Sequence, residues 1–362
     1  MHTIVFRNAA GLLTKYASNP MKIKLLVLSV VSLLFAVPTH AAYYLFTQLG
    51  TYGPYEFFDP TGINNDDDIV GTAYEYTGRP VAFRYASGTF HMFASPGPAH
   101  SAWGNCINDS GTIAGLCDRT GSVLHAFSAA VGGPSTDFDS DFTRNSEAVG
   151  INDYGYVVGT ASNQAFLGHT SGWISLLGST LGANYVARDI NNNFVIAGYD
   201  TTWGGKVYDA WNGTTTYLGF ALGSFSNRAY AINENNEVAG TVGTQGFLYS
   251  AGIATKFGAS VTAVKAVNAN GDVVGTASGK AFVYLRSSHQ FIDLNTAISA
   301  TTAATWTLIS ATGINDDGVI CGQARRLATP ADGPDYGMYV YRAYRLRPLV
   351  IFLPPFPIGF QN

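Results

Sequence analysis

Apolar and polar positions alternate along this chain in short runs, each broken by a polar turn, and the pattern returns at intervals of roughly forty residues. Its clearest element is a nine-residue phrase with Ile or Val first, Asn second and Gly last. The copies run 63–71, 107–115, 151–159, 190–198, 232–240, 267–275 and 314–322, with successive Asn residues 44, 44, 39, 42, 35 and 47 positions apart. Self-similarity at such a period marks solenoids, propellers and repeat arrays. Within each phrase an apolar residue enters a polar turn and a β-branched run leaves it, as in Ile151-Asn-Asp-Tyr-Gly-Tyr-Val-Val-Gly159, which predicts a hairpin. The fifth position calls for positive φ and is filled by Gly111, Gly155, Gly271, Gly318, Asp67 and Asn236, with Phe194 as the misfit. The Asn at position two is expected to turn its side chain onto the turn backbone.

A third strand is expected at the small-aromatic pairs Ala82-Phe83, Ala126-Phe127, Ala165-Phe166, Ala210-Trp211, Gly246-Phe247, Ala281-Phe282 and a drifted Met338-Tyr339. A fourth follows in stretches such as Trp173 to Gly178 and Thr216 to Gly219. Four short strands per repeat describe a blade, so the predicted fold is all-β: a single β-propeller of seven four-stranded blades. The segment from Tyr44 to Gly50 reads as a fourth strand with no blade before it, and the last repeat lacks one. The N-terminal strand is therefore expected to complete the last blade and close the ring.

The order Ile-Asn-Asp-x-Gly-x-Val-Val-Gly, then His125-Ala126-Phe127, then a strand ending in Leu-Gly resembles the bacterial extracellular repeats called the HAF family, over roughly residues 44 to 342. The fourth copy, with Asn192-Asn193-Phe194, and the seventh depart from the pattern. The resemblance implies a secreted or surface protein and brings no catalytic residues with it.

Composition fits short strands joined by tight turns, with 41 Gly, 22 Phe, 21 Tyr and only 12% charged residues. Lys22 and Lys24, the apolar run from Leu25 to Val37, and Thr39 and Ala41 before a cleavage point predict a secretory leader over 1–41, with Met21 as an alternative start. The propeller is assigned to 42–345 and an apolar, Pro-rich tail to 346–362, too short and proline-broken to span a membrane. Loss of the leader removes Arg7, Lys15, Lys22 and Lys24 and no acid, taking the formal charge from −4 to −8. So acidic a chain argues against nucleic acid as a partner. An oxidising compartment would permit a Cys106–Cys117 disulfide across the second hairpin, although turn register offsets the two. Cys321 reads as a small buried residue.

No His-Glu-x-x-His, zinc-spaced Cys pair, Gly-x-Ser-x-Gly elbow or phosphate loop occurs. Two weaker constellations remain. Asp137, Asp139 and Asp141 alternate like half of a calcium loop, making calcium the one cofactor to consider, yet Phe142 and Ala148 stand where that loop needs Gly and Glu. Just ahead of each phrase stand small residues, Asp189 excepted, and one step earlier Thr61, Asn105, Val149, Arg188, Tyr230, Lys265 and Thr312. If this strand is innermost, Arg188, Asp189, Tyr230 and Lys265 lie at one mouth of the channel and suit an anionic sugar or peptide. Ordinary solvated residues are the plainer reading of the same positions. The expected function is a monomeric exported binding or scaffolding module for an extracellular glycan, peptide or protein; the alternative is a secreted carbohydrate-active hydrolase or lyase.

Overall fold

The computed structural model describes residues 44–349 apart from 76–77, 96–100, 119–122, 139–144, 331 and 333–336. Seven four-stranded antiparallel sheets are arranged as a β-propeller. In the first six blades the strands lie side by side in chain order, as in blade 3 with Ser146–Ile151, Tyr156–Ala161, Gln164–His169 and Trp173–Leu176. Blade 7 is built from Thr307–Ile314, Ile320–Leu327 and Tyr339–Pro348, and Tyr44–Gln48 supplies its fourth strand, with Tyr44 opposite Pro348 and Phe46 opposite Leu346. The expected closure is thus observed. The third strand of blade 7 continues to Pro348, beyond the boundary expected at 345. The expected leader over 1–41 and residues 350–362, which hold most of the expected tail, lie outside the described residues.

The Asn of each phrase does more than its local role. In five of the seven its Oδ1 accepts from the backbone N–H groups two and four residues on, as at Asn152 with Tyr154 and Tyr156, and at Asn108 and Asn315 the N–H four residues on donates to it. Its Nδ2 donates to the main-chain carbonyl of the equivalent Asn in the next blade. Asn64 bonds Asn108, Asn108 bonds Asn152, and the series continues through Asn191, Asn233, Asn268 and Asn315 back to Asn64, at 2.7 to 3.2 Å. All seven side chains are buried. A circular chain of side-chain amide hydrogen bonds therefore joins the blades, and buried amides of this kind are costly to leave unpaired.

The closing Gly of each phrase faces the inner strand where it bulges, and a Cβ at Gly159 would collide with the Glu147 carbonyl oxygen. Opposite these glycines stand the fully buried rings Phe83, Phe127, Phe166, Phe247 and Phe282. The two irregular repeats differ from the expected pairing. In blade 7 the residue opposite Gly322 is Tyr344, so Ala343-Tyr344 and not Met338-Tyr339 is the small-aromatic pair. In blade 4 the residue opposite Gly198 is Lys206, and Ala210-Trp211 lies beyond the strand Gly204–Asp209. Tyr185 fills the space that a Phe would take, Lys206 Nζ lies 5.0 Å from its ring centroid and 3.1 Å from Asp200 Oδ2, and Trp211 is left 80% exposed. Phe194 does adopt positive φ, at 59°, a conformation that costs a non-glycine residue about 1–2 kcal/mol.

Candidate functional site

The innermost strands line a central channel, and a β-bulge in each of them decides which side chain enters it. Register slips between Pro60 and Gly62, Gly104 and Cys106, Ala148 and Gly150, Ala187 and Asp189, Ala229 and Ala231, Val264 and Ala266, and Ala311 and Gly313. The residues skipped are Thr61, Asn105, Val149, Arg188, Tyr230, Lys265 and Thr312. A bulged residue is released from the ladder and its side chain re-aimed. All seven line one cavity of about 370 Å³. Asp59, Glu147 and Ser310 join them from two residues earlier, on the same face by the strand period. Sequence reasoning missed these three; the alternation backward from Thr61, Val149 and Thr312 was the signal that would have found them.

The structure brings Arg188, Tyr230 and Lys265 together. The Arg188 guanidinium carbon lies 5.8 Å from the Tyr230 ring centroid, and its Nε is buried without a hydrogen-bond partner. Neither Arg188 nor Lys265 forms an ion pair among the described residues. Enclosure by the channel wall lowers the Lys265 ammonium from its ordinary range, the Arg188 charge lowers it further, and Asp59 opposes both. Burial raises the Asp59 carboxyl, and Lys265 partly offsets that rise. Glu147 instead accepts a 2.9 Å bond from Asn105 Nδ2.

Asp189 has a different role from its neighbour. Its Oδ1 accepts from its successor, Ile190 N, and its Oδ2 from Ile232 N in the next blade, at 2.9 Å each, so it ties two inner strands together. Burial pushes its carboxyl up to about 7 against the pull of those two bonds. At the turn end of the channel a second, exposed girdle runs parallel to the buried Asn ring. Asn65 N donates to Asp109, Asp109 N to Asp153, Asp153 N to Asn192, Asn192 N to Glu234, Ala269 N to Asp316 and Asp316 N to Asn65. Burial raises the Glu234 carboxyl, backbone donation from Asn192 lowers it, and the charges of Asp153, Asp109 and Asp316 raise it again.

The possible Cys106–Cys117 disulfide is not formed. Cys106 faces Ala114 and Cys117 faces Ala102, because the bulge and turn place them on different rungs. Cys106 reaches the channel, whereas Cys117 sits in an apolar cluster with Ile113 and Phe127. Of the calcium triplet, Asp139 and Asp141 lie outside the described residues. The Asp137 carboxylate is held by His125 Nδ1 at 3.0 Å. No cluster of metal-ligating side chains occurs among the described residues, and no helix there is long and apolar enough to cross a membrane.

No protein-family model matches the chain, and no curated protein matches it in sequence. Solved structures match in fold. A streptogramin B lyase aligns with TM-score 0.54 and 10% identity over 85% of this chain and 99% of that one. An oligogalacturonate lyase from Vibrio parahaemolyticus aligns with TM-score 0.51 and 9% identity over 86% and 94%. A chain of the mitotic checkpoint complex aligns with TM-score 0.50 and 9% identity over 87% and 98%. Proteins so different in name share one architecture with this chain, so the class is defined by fold: a closed β-propeller of seven blades.

Proposed function

We propose that this is an exported propeller of the HAF-repeat kind, acting as a binding module that takes an anionic extracellular ligand, a carboxylated glycan or peptide, into its central cavity. Arg188 and Lys265 receive the carboxylate, and Tyr230 between them supplies a flat wall. One observation carries the reading: two cations face the same cavity with no ion-pair partner among the described residues, and one has a buried nitrogen without a hydrogen-bond acceptor. A carboxylate would satisfy both, and charge-assisted bonds of this type contribute about 1.5–3 kcal/mol each. Calorimetric titration with oligogalacturonates and with acidic peptides tests it. The Arg188→Ala, Lys265→Ala protein should remain folded and lose at least about a hundredfold in affinity, the equivalent of two such bonds at the low end. Unchanged affinity in that folded variant refutes the assignment.

The depressed Lys265 ammonium favours a second, enzymatic reading, a lyase. Held beside a uronate carboxylate, the fraction of Lys265 present as free amine would take the proton α to it; that bonding pair forms the C=C bond, and the glycosidic oxygen leaves and is protonated. Appearance of an ultraviolet-absorbing unsaturated uronate, lost in Lys265→Ala, would support it, and binding without product would reject it.

A further inference from the structure

The geometry points to a second ligand surface, separate from the cation-lined cavity: an aromatic band over blades 3 and 4, at the turn end of the ring, that binds a neutral glycan chain. Six rings are contiguous there: Trp173, His169, Tyr156, Tyr154, Phe194 and Trp211. Trp173 and His169 are stacked, their centroids 6.3 Å apart with 10° between the planes, and Tyr156 meets both edge-on at 6.2 and 5.0 Å. Phe194 meets Tyr156 at 4.7 Å, stacks with Tyr154 at 5.9 Å and reaches Trp211 at 6.1 Å. Trp173, Tyr154 and Trp211 remain 43%, 63% and 80% exposed.

Two features separate this band from ordinary packing. The first is Phe194, which occupies the turn position that Gly, Asp or Asn fills in the other six blades and holds φ at 59° to do so. The fold needs no ring at that position, and backbone strain kept at a surface is a reason to look for binding. The second is the displacement of Trp211 out of the strand, which leaves one of the largest apolar side chains almost wholly in solvent.

Electrostatics select the ligand. The turns 152–155, 169–172, 191–194 and 209–213 contain Asp153 and Asp209 and no Lys or Arg. The neighbouring channel mouth carries Asp109, Asp153, Glu234 and Asp316. Polyanions are repelled from such a face. Pyranose rings carry no charge, and their axial C–H groups lie against the negative face of an aromatic ring. Tyr hydroxyls, indole N–H groups and the Asn212 side chain at the band's edge match sugar hydroxyls.

The test is calorimetric titration of the full chain with hexasaccharides of β-1,4-linked glucose, mannose and N-acetylglucosamine, with hexagalacturonate as the charged comparison, followed also by tryptophan fluorescence. At least one neutral hexasaccharide should bind and change the fluorescence. Trp211→Ala and Trp173→Ala should each weaken it about tenfold or more. Phe194→Gly should weaken it several-fold while its melting temperature stays within a few degrees of the parent. Binding should survive Arg188→Ala, Lys265→Ala, which separates this surface from the cavity. The proposal is overturned if none of the three neutral chains binds, if binding is indifferent to Trp211→Ala and Trp173→Ala, if hexagalacturonate competes for the same tryptophans, or if the band proves instead to hold two copies of the chain together in a dimer that Trp211→Ala dissociates.

Discussion

Replacing Asn315 by Ala opens the amide ring where the last blade meets the first, and the structure allows its cost to be worked out. Asn315 Oδ1 accepts a 2.9 Å bond from Val319 N, while its Nδ2 donates to Asn64 O at 3.2 Å and to Asp67 Oδ1 at 2.8 Å. The side chain is only 3% exposed, and Val319 is buried beside it. Three bonds at about 1 kcal/mol net each give about 3 kcal/mol, and the Val319 N–H left without its partner adds to that figure. For a folded unit of roughly three hundred residues, about 3 kcal/mol corresponds to a fall of about 5 °C in melting temperature. Guanidinium unfolding followed by circular dichroism measures the loss, and Asn65→Ala is the control. Asn65 belongs to the exposed girdle, bonded to Asp109 and Asp316 in water-accessible positions. Its removal should cost less than about 1 kcal/mol. Equal effects of the two substitutions would show that the buried ring contributes nothing beyond the exposed one.

Two further outcomes follow from the same structure. Deleting Tyr44–Gln48 removes buried Tyr44 and the Phe46 contacts with Trp306 and Tyr344, and bares the edge of Tyr339–Pro348; a loss of at least about 3 kcal/mol and concentration-dependent self-association by size-exclusion chromatography are expected, and melting like the parent would count against closure. Asp189 is held at about 7 in the fold against 3.8 in the unfolded chain, so at intermediate pH only the folded state keeps the proton; its contribution is fully present below about pH 4 and is lost as pH rises through 7, and Asp189→Asn should flatten that part of the stability profile relative to the parent.

Much of the architecture was legible because it recurs. Seven copies of one phrase expose turn chemistry, strand order and even the residue that enters the channel, since position relative to Ile or Val is the same in every blade. Arg188, Tyr230 and Lys265 were found in that way. What the sequence hid depends on contacts between blades. The second bond of each Asn crosses to the next blade, 35 to 47 residues along for six of them and 251 residues back for Asn315, and nothing local announces it. Asp189 lines the channel as its position suggests, but nothing in the string of residues shows that the backbone N–H of Ile232 also holds its carboxylate. Where the repeat drifts, the nearest aromatic misleads: Trp211 and Tyr339 resemble the buried partner of the closing Gly, but Lys206 and Tyr344 occupy that place. Cys106 and Cys117 flank one hairpin, but the bulge sets their registers apart.

The outermost strand of the final blade has a temporal consequence. Tyr44–Gln48 leaves the ribosome long before Tyr339–Pro348 exists to receive it, so the earliest residues of the ring are the last to find their place. Six blades can form as they emerge, but completion waits on a pairing that spans nearly the whole chain, the kind of distant contact that slows folding. A polypeptide released before its final strand would keep an open seam, and its early segment would have nowhere to go.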